Sequence, residues 1–419
     1  MSPKLQPVRG THDVLPEEAV KLRFIEATLA RVCRGYGYGE ISTPVFEFSE
    51  VFHRTLGDTS DVVTKETYSF TDRGGESLTL RPEFTASVVR AFISNGLQDQ
   101  LPFKVYYHGP AFRYERPQKG RLRQFHQFGA ELLGVTDAMG DIEMIAMAAR
   151  GLEALGLKYA VTLEINSLGD GESRTKYREA LVAYFNDHKS TLSDDSKVRL
   201  ERNPLRILDS KDEGDRKIIA GAPRGHNYFT PQATAFFAEV KETLSALGVA
   251  YTVNEKLVRG LDYYSHTVFE FTTDKLGAQG TVLAGGRYDG LVKMMGGHDI
   301  SGVGFAAGIE RLLALMDVAN AAVFPTASTS VMVIPVDEAQ VREALQLAEE
   351  LRGQGLVVEL ETRGNMGKKM KRAEKSGATV VLILGENELK SGEVVLKTLA
   401  DGKQEQVKRD ALKNRLVAN

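Results

Sequence analysis

The sequence predicts an α+β fold, in which helices flank an antiparallel sheet, a helical segment is inserted, and a separate α/β domain follows. Three observations predict it. Residues 104–114 and 124–133 alternate like two strands around a charged, glycine-bearing loop. Residues of about 169–225 are polar, helical and poor in strand signals. Beyond residue 330, strand and helix patterns alternate, which is typical of βαβ units.

The N-terminal elements follow from local signals. Pro16 and two acidic residues precede a helix whose apolar residues recur at Leu22, Ile25, Leu29 and Val32. Residues 41–45 then resemble a short strand, with Pro44 near its end. Pro82 and Glu83 are expected to open a helix that runs to about residue 94. A further helix is predicted over 137–155 and a strand over 159–165.

The second half divides at a linker. Strands are predicted at 267–272 and 281–284, and a helix at 309–318. Residues 319–330 are small and polar and contain a proline, which indicates a linker. After it come a strand, a helix, a strand, a helix and a strand at 331–335, 339–352, 357–360, 366–376 and 380–384. The expected domains are therefore 1–325, with the insertion at about 169–225, and 326–419.

Composition excludes several classes of protein. The net charge is -3, so any surface that binds nucleic acid must be local. Cys33 is the only cysteine, which excludes an internal disulfide and a cysteine-rich zinc site, and the histidines lack zinc spacing. No metal site made of protein side chains is predicted. The sequence shows no apolar signal segment and no run of about 18 apolar residues, so we expect a cytosolic protein.

The loop between the two central strands is strongly basic. Residues 113–123 contain five basic side chains and one acidic one, Glu115. Crowded cations repel one another, and arginine can bind two phosphate oxygens at once, so an anionic ligand is one interpretation. A solvated loop tip is the other. The placement of Arg113 within a predicted strand favours the ligand, because one face of that strand meets the core or a cleft.

The second central strand carries polar side chains on one face. The period of two places Gln127, Gly129 and Glu131 on the same side. Buried polar groups need hydrogen-bond partners. Gln127 and Glu131 therefore either satisfy each other or face a polar ligand, and the pattern alone leaves both alternatives open.

Several segments resemble known motifs. Residues 112–116 (Phe-Arg-Tyr-Glu-Arg) with Gln124 and Phe125 resemble motif 2 of the class II aminoacyl-tRNA synthetases. Pro44 and Glu47 fit the looser motif 1, and residues 302–312 fit motif 3. Residues 259–264 (Arg-Gly-Leu-Asp-Tyr-Tyr), together with 267–270, resemble the first of two histidine-specific signatures. Residues 285–289 (Gly-Gly-Arg-Tyr-Asp) resemble the second.

The chain therefore resembles the histidyl-tRNA synthetases over essentially its whole length. The resemblance implies a class II synthetase sheet with a helical insertion and a C-terminal α/β anticodon-binding domain. It implies ATP-dependent activation of L-histidine to histidyl-adenylate and transfer to the 3′-terminal adenosine of histidine tRNA. Motif 1 lies at a subunit interface in this class, so a homodimer is implied too.

The resemblance also implies roles for individual residues. Arg113 and Arg259 would be catalytic, on the substrate carboxylate and the α-phosphate. Arg311 would hold the γ-phosphate of a bent ATP with the help of Arg121, and Mg²⁺ would bind the β- and γ-phosphates. The histidine site would comprise Glu83, Thr85 and Gln127 around the ammonium group, Glu131 and Tyr264 at the imidazole, and Tyr263 and Tyr288 as pocket walls. The family usually has glycine where this chain has Phe84.

The tRNA contacts implied by the resemblance lie in two basic segments. The hairpin tip, with Gln118, Lys119 and Arg123, would contact the acceptor end. The helix that begins near residue 366 would contact the anticodon stem through Lys368 and Lys369. In isolation, a solvated helix face is the alternative interpretation of that second segment.

Three other functions remain possible at this point. A synthetase-like regulatory subunit would bind histidine without ligating it, but such proteins typically lack the C-terminal domain and lose the arginines. A class II synthetase for another amino acid is disfavoured by Glu131 with Tyr263 and Tyr264. The third is a tRNA-binding module with a vestigial ATP site.

Overall fold

The computed structural model describes residues 5–56, 66–116, 121–258, 263–277, 280–321, 324 and 330–417. The chain forms two compact units, Met1–Ala322 and Val323–Asn419. In the part of the chain that the structure describes, none of the helices combines the length and apolarity needed to cross a membrane.

The first unit contains two sheets and a set of helices. Its strands are β1 (Gly39–Glu40), β2 (Phe46–Phe48), β3 (Tyr68–Thr71), β4 (Ser77–Leu80), β5 (Phe103–Phe112), β6 (Gln124–Leu133), β7 (Thr162–Ser167), β8 (Thr252–Val253), β9 (Ser265–Thr272), β10 (Thr281–Arg287) and β11 (Gly302–Gly308). Its helices are α1 (Pro16–Gly35), α2 (Ser49–Leu56), α3 (Thr85–Ser94), α4 (Ala138–Ala154), α5 (Gly171–Asp187), α6 (Asp194–Arg202), α7 (Glu213–Ile219), α8 (Pro231–Ala246), α9 (Leu291–Met294) and α10 (Ile309–Ala319).

The main sheet has eight strands in the order β1-β5-β6-β11-β10-β9-β7-β8. The strand pairs at its two ends are parallel and the inner pairs are antiparallel, which confirms the predicted antiparallel sheet with flanking helices. β5 and β6 form the predicted hairpin, with Phe112 opposite Gln124. Arg113 lies just beyond β5, although its backbone N–H still donates to the carbonyl of Arg123.

Two local predictions are wrong. Residues 41–45 are not a strand, because the Thr43 and Pro44 carbonyls accept from the buried guanidinium of Arg81 rather than from a neighbouring strand. Helix α3 begins at Thr85 and not at Pro82. The carboxylate of Glu83 accepts from the first free N–H groups of that helix, so it serves as a cap.

The small sheet, in the order β2-β4-β3, has an inverted pattern of burial. Glu47 is buried and accepts two hydrogen bonds from Arg90, whereas Phe46 and Phe48 are about half exposed. Phe70 on β3 is also exposed and shares this face, because Phe48 and Phe70 both pair with Leu78. Phe46, Phe48 and Phe70 are here called the outer phenylalanine face.

Residues 169–225 contain α5, α6 and α7, which pack around an apolar cluster of their own that includes Leu181, Phe185 and Ile207. Asp215 joins the turns between these helices, since its carboxylate accepts from the hydroxyls of Ser193, Ser196 and Ser210. The segment therefore has an internal structure separate from the sheet.

Two histidine–carboxylate pairs join strands of the main sheet to helices. His126 of β6 lies 2.8 Å from Glu310 of α10, and His108 of β5 lies 3.5 Å from Glu26 of α1. The hydrogen bond to Glu310 raises the pKa of His126 against the opposing effect of burial. A raised pKa in the folded state stabilises the fold below the unfolded pKa and ceases to do so as pH rises through the folded pKa.

We therefore expect the stability difference between wild type and His126→Gln to depend on pH. Wild type should be more stable by about 1 kcal/mol below pH 6.5, and the difference should shrink as pH rises through the raised pKa of His126. Thermal unfolding across this range measures it. His298→Gln, at an exposed site, is the control for replacing an imidazole by an amide. A stability difference for His126→Gln that does not change with pH would contradict the assignment.

The second unit is an α/β domain. Its elements are β12 (Ser330–Pro335), α11 (Val341–Gly353), β13 (Val357–Leu360), α12 (Met366–Ser376), β14 (Val380–Leu384), α13 (Glu386–Ser391), β15 (Glu393–Thr398), β16 (Gln404–Lys408) and α14 (Leu412–Val417). The sheet order is β13-β12-β14-β15-β16. The first three strands are parallel, as predicted, and the last two add antiparallel pairs that the sequence analysis missed.

The position of Lys369 corrects a prediction. This side chain is 3% exposed, and its Nζ donates to the carbonyl of Pro335 at 2.6 Å, where β12 ends. A buried ammonium group bound to a backbone carbonyl cannot reach an RNA phosphate. The prediction that Lys369 contacts tRNA is therefore wrong. Lys368, on the neighbouring position of α12, is exposed.

Candidate active site

A cavity of about 200 Å³ lies over the middle of the main sheet, here called the central cavity. Strands β6, β10 and β11 and the start of α3 supply its walls. It brings together all the described residues that were predicted to bind histidine or ATP: Glu83, Thr85, Arg113, Arg121, Gln127, Glu131, Tyr263, Tyr264, Tyr288 and Arg311.

Glu131 is fully enclosed at one end of the central cavity. Its Oε1 accepts from the hydroxyls of Thr85 at 2.6 Å and Tyr107 at 3.0 Å, and its Oε2 accepts from Tyr288. The opposite residue on β11 is Gly304, where a Cβ would lie 1.7 Å from Oε2. Only glycine at position 304 leaves room for this carboxylate.

The environment of Glu131 alters its proton affinity. Burial raises its pKa to about 8, although the three hydroxyl donors act in the opposite direction, and the nearby charge of Glu83 raises it further. Near neutral pH this carboxyl group can therefore gain or lose a proton when a charged or hydrogen-bonding ligand arrives.

Gln127 and Glu83 are two further buried residues that line the cavity. Glu83 is buried, and its two oxygens accept from the backbone N–H groups of Thr85 and Ala86, each at 2.8 Å. Within the described part of the chain, the buried Oε1 of Gln127 has no hydrogen-bond partner. The carboxylate of Glu131 is bound by Thr85, Tyr107 and Tyr288 instead of Gln127, so mutual pairing, one of the two alternatives that the strand pattern left open, is not what the structure shows.

Three tyrosines form the apolar wall of the cavity. The rings of Tyr263 and Tyr264 lie 4.7 Å apart, and those of Tyr263 and Tyr288 meet edge to face at 5.8 Å. Tyr264 also packs over β10 at Gly286, where a Cβ would lie 2.9 Å from its ring. A flat, hydrogen-bonding side chain would fit between these rings and Glu131.

The other end of the cavity is cationic. Arg113 donates through Nε to the Pro82 carbonyl at 2.9 Å, which fixes one edge of its guanidinium. Arg121 pairs with Glu115 at 2.8 Å. Burial lowers the pKa of Arg311 and the positive charge of Arg121 lowers it further, against the opposing effects of the Glu115 and Glu270 charges. An anion between Arg121 and Arg311 would relieve their repulsion.

Phe84 fits this geometry although the family usually has glycine there. Its φ is -101°, a value open to any residue, so glycine is not required by the backbone. The ring is 1% exposed and stacks on Tyr107, away from the cavity. The hydrogen bonds of Glu83 and Thr85 on either side of it are intact.

Some predicted residues are not placed by the structure. Arg259, Gln118 and Lys119 lie outside the described residues. Arg123 is described, and its guanidinium covers the ring of Tyr114 at 4.0 Å and donates to the Glu115 carbonyl at 3.3 Å.

Sequence reasoning missed two residues that support the site. Tyr107 binds Glu131 and lies opposite Gly129, so the strand period on β5 could have identified it. Arg287, in the signature at residues 285–289, is fully buried and pairs with Asp141 of α4. Arg287 therefore holds a helix to the sheet. Among the described residues, no set of three or more histidine, cysteine or acidic side chains is arranged to hold a metal.

Comparison with known proteins agrees with this geometry. A family profile described as Histidyl-tRNA synthetase matches residues 10–169 and 199–312, and one described as Anticodon binding domain matches 330–419. The histidine–tRNA ligase of Rhodospirillum rubrum is 56% identical over 403 residues, which cover 96% of each chain. The chain belongs to the histidyl-tRNA synthetase family.

Other members of the histidyl-tRNA synthetase family are also similar over nearly the whole chain. The ligase of Gluconobacter oxydans is 53% identical, again over 96% of each chain. The solved structure of apo Staphylococcus aureus histidyl-tRNA synthetase superposes with a TM-score of 0.85 at 35% identity, covering 99% of this chain and 100% of that one. The family profile leaves residues 170–198 unmatched, which contain α5 and the start of α6.

Proposed function

We propose that the central cavity binds L-histidine beside ATP and joins them as histidyl-adenylate. The observation that carries this proposal is the pairing, in one cavity, of a carboxylate held by three hydroxyls with a cluster of arginines. The chain is a histidine–tRNA ligase of class II, as its family and its relatives at 46–56% identity indicate.

The proposed reaction is an attack of the histidine carboxylate on the α-phosphate of ATP, with pyrophosphate as the leaving group. Negative charge gathers on the phosphoryl oxygens, so fixed cations stabilise the transition state most. Arg113 would bridge the carboxylate and the α-phosphate, with Arg259 on the other side. Arg121 would leave Glu115 and, with Arg311, bind the terminal phosphate.

The histidine substrate would be held at both ends. Glu83 and the carbonyl oxygen of Gln127 would accept from its ammonium group, and the Thr85 hydroxyl oxygen can accept while it donates to Glu131. Glu131 and Tyr264 would meet the two ring nitrogens, with Tyr263 and Tyr288 as walls. A site with such buried polar groups rejects side chains that leave them unpaired.

We propose that ATP enters as its Mg²⁺ complex, with the metal on the β- and γ-phosphates. The described residues offer no cluster that would hold the ion without the nucleotide, so its main ligands would be phosphate oxygens and water.

The same proposal extends to tRNA and to assembly. The hairpin tip with Gln118, Lys119 and Arg123 would meet the acceptor end, and exposed Lys368 on α12 the anticodon stem. Transfer to the terminal adenosine would follow adenylate formation. A homodimer would cover the outer phenylalanine face. Here the polar residue of β2 is buried and its large apolar residues are exposed, and such an exposed apolar face is typical of an interface.

The test is amino-acid-dependent exchange of labelled pyrophosphate into ATP. We expect exchange with L-histidine and with no other standard amino acid. Exchange with a different amino acid would overturn the specificity. Histidine binding without any exchange would favour the alternative function, a regulatory subunit that uses histidine as a signal.

A second experiment concerns Arg259. We expect Arg259→Ala to lower the exchange rate by at least about a hundredfold, because a cation on the α-phosphate is lost, while histidine affinity changes less than about threefold. Equilibrium binding of histidine measures the second quantity. Exchange at the wild-type rate in this variant would refute the role of Arg259.

A further inference from the structure

We propose that Tyr107 is a positioning residue that fixes the carboxylate of Glu131, and that Phe84 and Arg81 hold Tyr107 in place from behind. Tyr107 would thereby set the selectivity for an imidazole without touching it. This inference rests on the proposed function, because it concerns how the same cavity recognises its amino acid.

Glu131 can accept only a limited number of hydrogen bonds. In its ionised form, which an arriving N–H donor favours, this carboxyl group offers about four acceptor positions. Tyr107 and Thr85 occupy both positions on Oε1, and Tyr288 occupies one on Oε2. One position on Oε2 remains, which suits a single N–H donor such as that of an imidazole. Removal of the Tyr107 hydroxyl would free a second position and let the carboxylate turn.

The location of Tyr107 limits how it can act on substrate. It is not among the described residues that line the central cavity, and it reaches Glu131 from β5, across Gly129 of β6. A Cβ at position 129 would lie 2.3 Å from the Tyr107 hydroxyl oxygen. The hydroxyl therefore passes over a glycine to reach the carboxylate, and its effect on substrate is indirect, through Glu131 and the neighbouring Thr85 hydroxyl.

Two further side chains, Phe84 and Arg81, support the Tyr107 ring. The Phe84 ring stacks on it with centroids 4.4 Å apart and an angle of 4°. The Arg81 guanidinium covers the other face of Phe84 at 3.7 Å and is held by the carbonyls of Thr43, Pro44 and Pro110. These three flat groups are all nearly or fully buried, so the tyrosine ring has little freedom to shift.

The test is Tyr107→Phe, which keeps the ring and its stack and removes only the hydroxyl. In the exchange assay, KM for histidine should rise about tenfold while KM for ATP stays unchanged. The apparent pKa in the pH profile of kcat/KM for histidine should also move upwards, because a donor to the carboxylate that lowers its pKa has been lost.

The interpretation of that pH profile requires the other titratable groups around Glu131. They are Glu83 ahead of α3 and four tyrosines besides Tyr107: Tyr38, Tyr263, Tyr264 and Tyr288. Burial raises the pKa of Tyr38, Tyr263 and Tyr288 far above the assay range, so these groups stay neutral. Glu83 is unchanged in the variant.

Tyr106→Phe is the matched control. Tyr106 is the adjacent residue of β5 and is equally buried, and its hydroxyl also donates to a carboxylate, that of Glu40, at 3.0 Å. It faces the other side of the sheet. We expect a similar loss of thermal stability with no change in KM for histidine or in the pH profile.

A second pair of variants tests the stack. Phe84→Leu should raise KM for histidine, as Tyr107→Phe does, whereas Phe185→Leu, at an equally buried ring in the apolar cluster of residues 169–225, should leave it unchanged. An unchanged KM and pH profile in Tyr107→Phe, with exchange by wild type intact, would overturn this inference alone. Absence of histidine-dependent exchange in wild type would instead overturn the proposed function.

Discussion

Gly304→Ala is expected to lower histidine-dependent exchange by at least about a hundredfold. The added methyl carbon would lie 1.7 Å from Oε2 of Glu131 and 2.7 Å from the Ala130 carbonyl, far inside van der Waals contact. Position 304 is in the middle of an eight-stranded sheet, so the backbone has little room to yield. The carboxylate must leave the position where it would accept from the imidazole.

The comparison that isolates this effect is Gly39→Ala. Gly39 lies in β1 of the same sheet, and a Cβ there would meet no atom within 4 Å. That variant should keep wild-type exchange and stability. Exchange assays and thermal unfolding on both proteins are the measurements. Retention of more than a tenth of wild-type exchange by Gly304→Ala would show that Glu131 does not have to occupy its observed position.

Arg113→Lys is expected to reduce kcat for exchange by about a hundredfold to a thousandfold, with a smaller change in KM for histidine. The guanidinium donates through Nε to the Pro82 carbonyl and would still have its other N–H groups for the substrate carboxylate and the phosphate. A lysine ammonium is a single point charge and cannot hold the backbone and bridge two anions in one fixed geometry.

Arg116→Lys provides the comparison for Arg113→Lys. Arg116 belongs to the same basic loop and is exposed, so exchange in the absence of tRNA should be unaffected. If Arg113→Lys retained kcat within about threefold of wild type, the bridging role would have to be assigned to another cation.

Part of the site could be predicted from the sequence because its geometry is that of a strand. The period of two put Gln127 and Glu131 on one face, and the structure finds both on the wall of the central cavity. The sequence could not decide whether they bind each other. That depended on Thr85, Tyr107 and Tyr288, which come from three other places in the chain to occupy Glu131.

Lys369 shows why other predictions failed. The sequence places four basic residues within the first two turns of α12, but it does not say which of them faces β12. Residue 369 does, and the free carbonyl at the end of that strand accepts its ammonium group. Likewise, β15 and β16 are short, and their antiparallel addition to a parallel sheet is a tertiary choice with no local signal.

The floor of the central cavity has a consequence for how substrate preference can change during evolution. Gly304 lines the cavity, while Gly129 and Gly286 lie under the side chains of Tyr107 and Tyr264, and a Cβ at any of the three would meet another atom closely. Substitution there would displace the side chains that shape the cavity. A lineage that came to prefer a bulkier amino acid would have to exchange the aromatic walls and the buried carboxylate together, and each single step would leave a polar group unpaired. The floor thus favours retention of the present substrate.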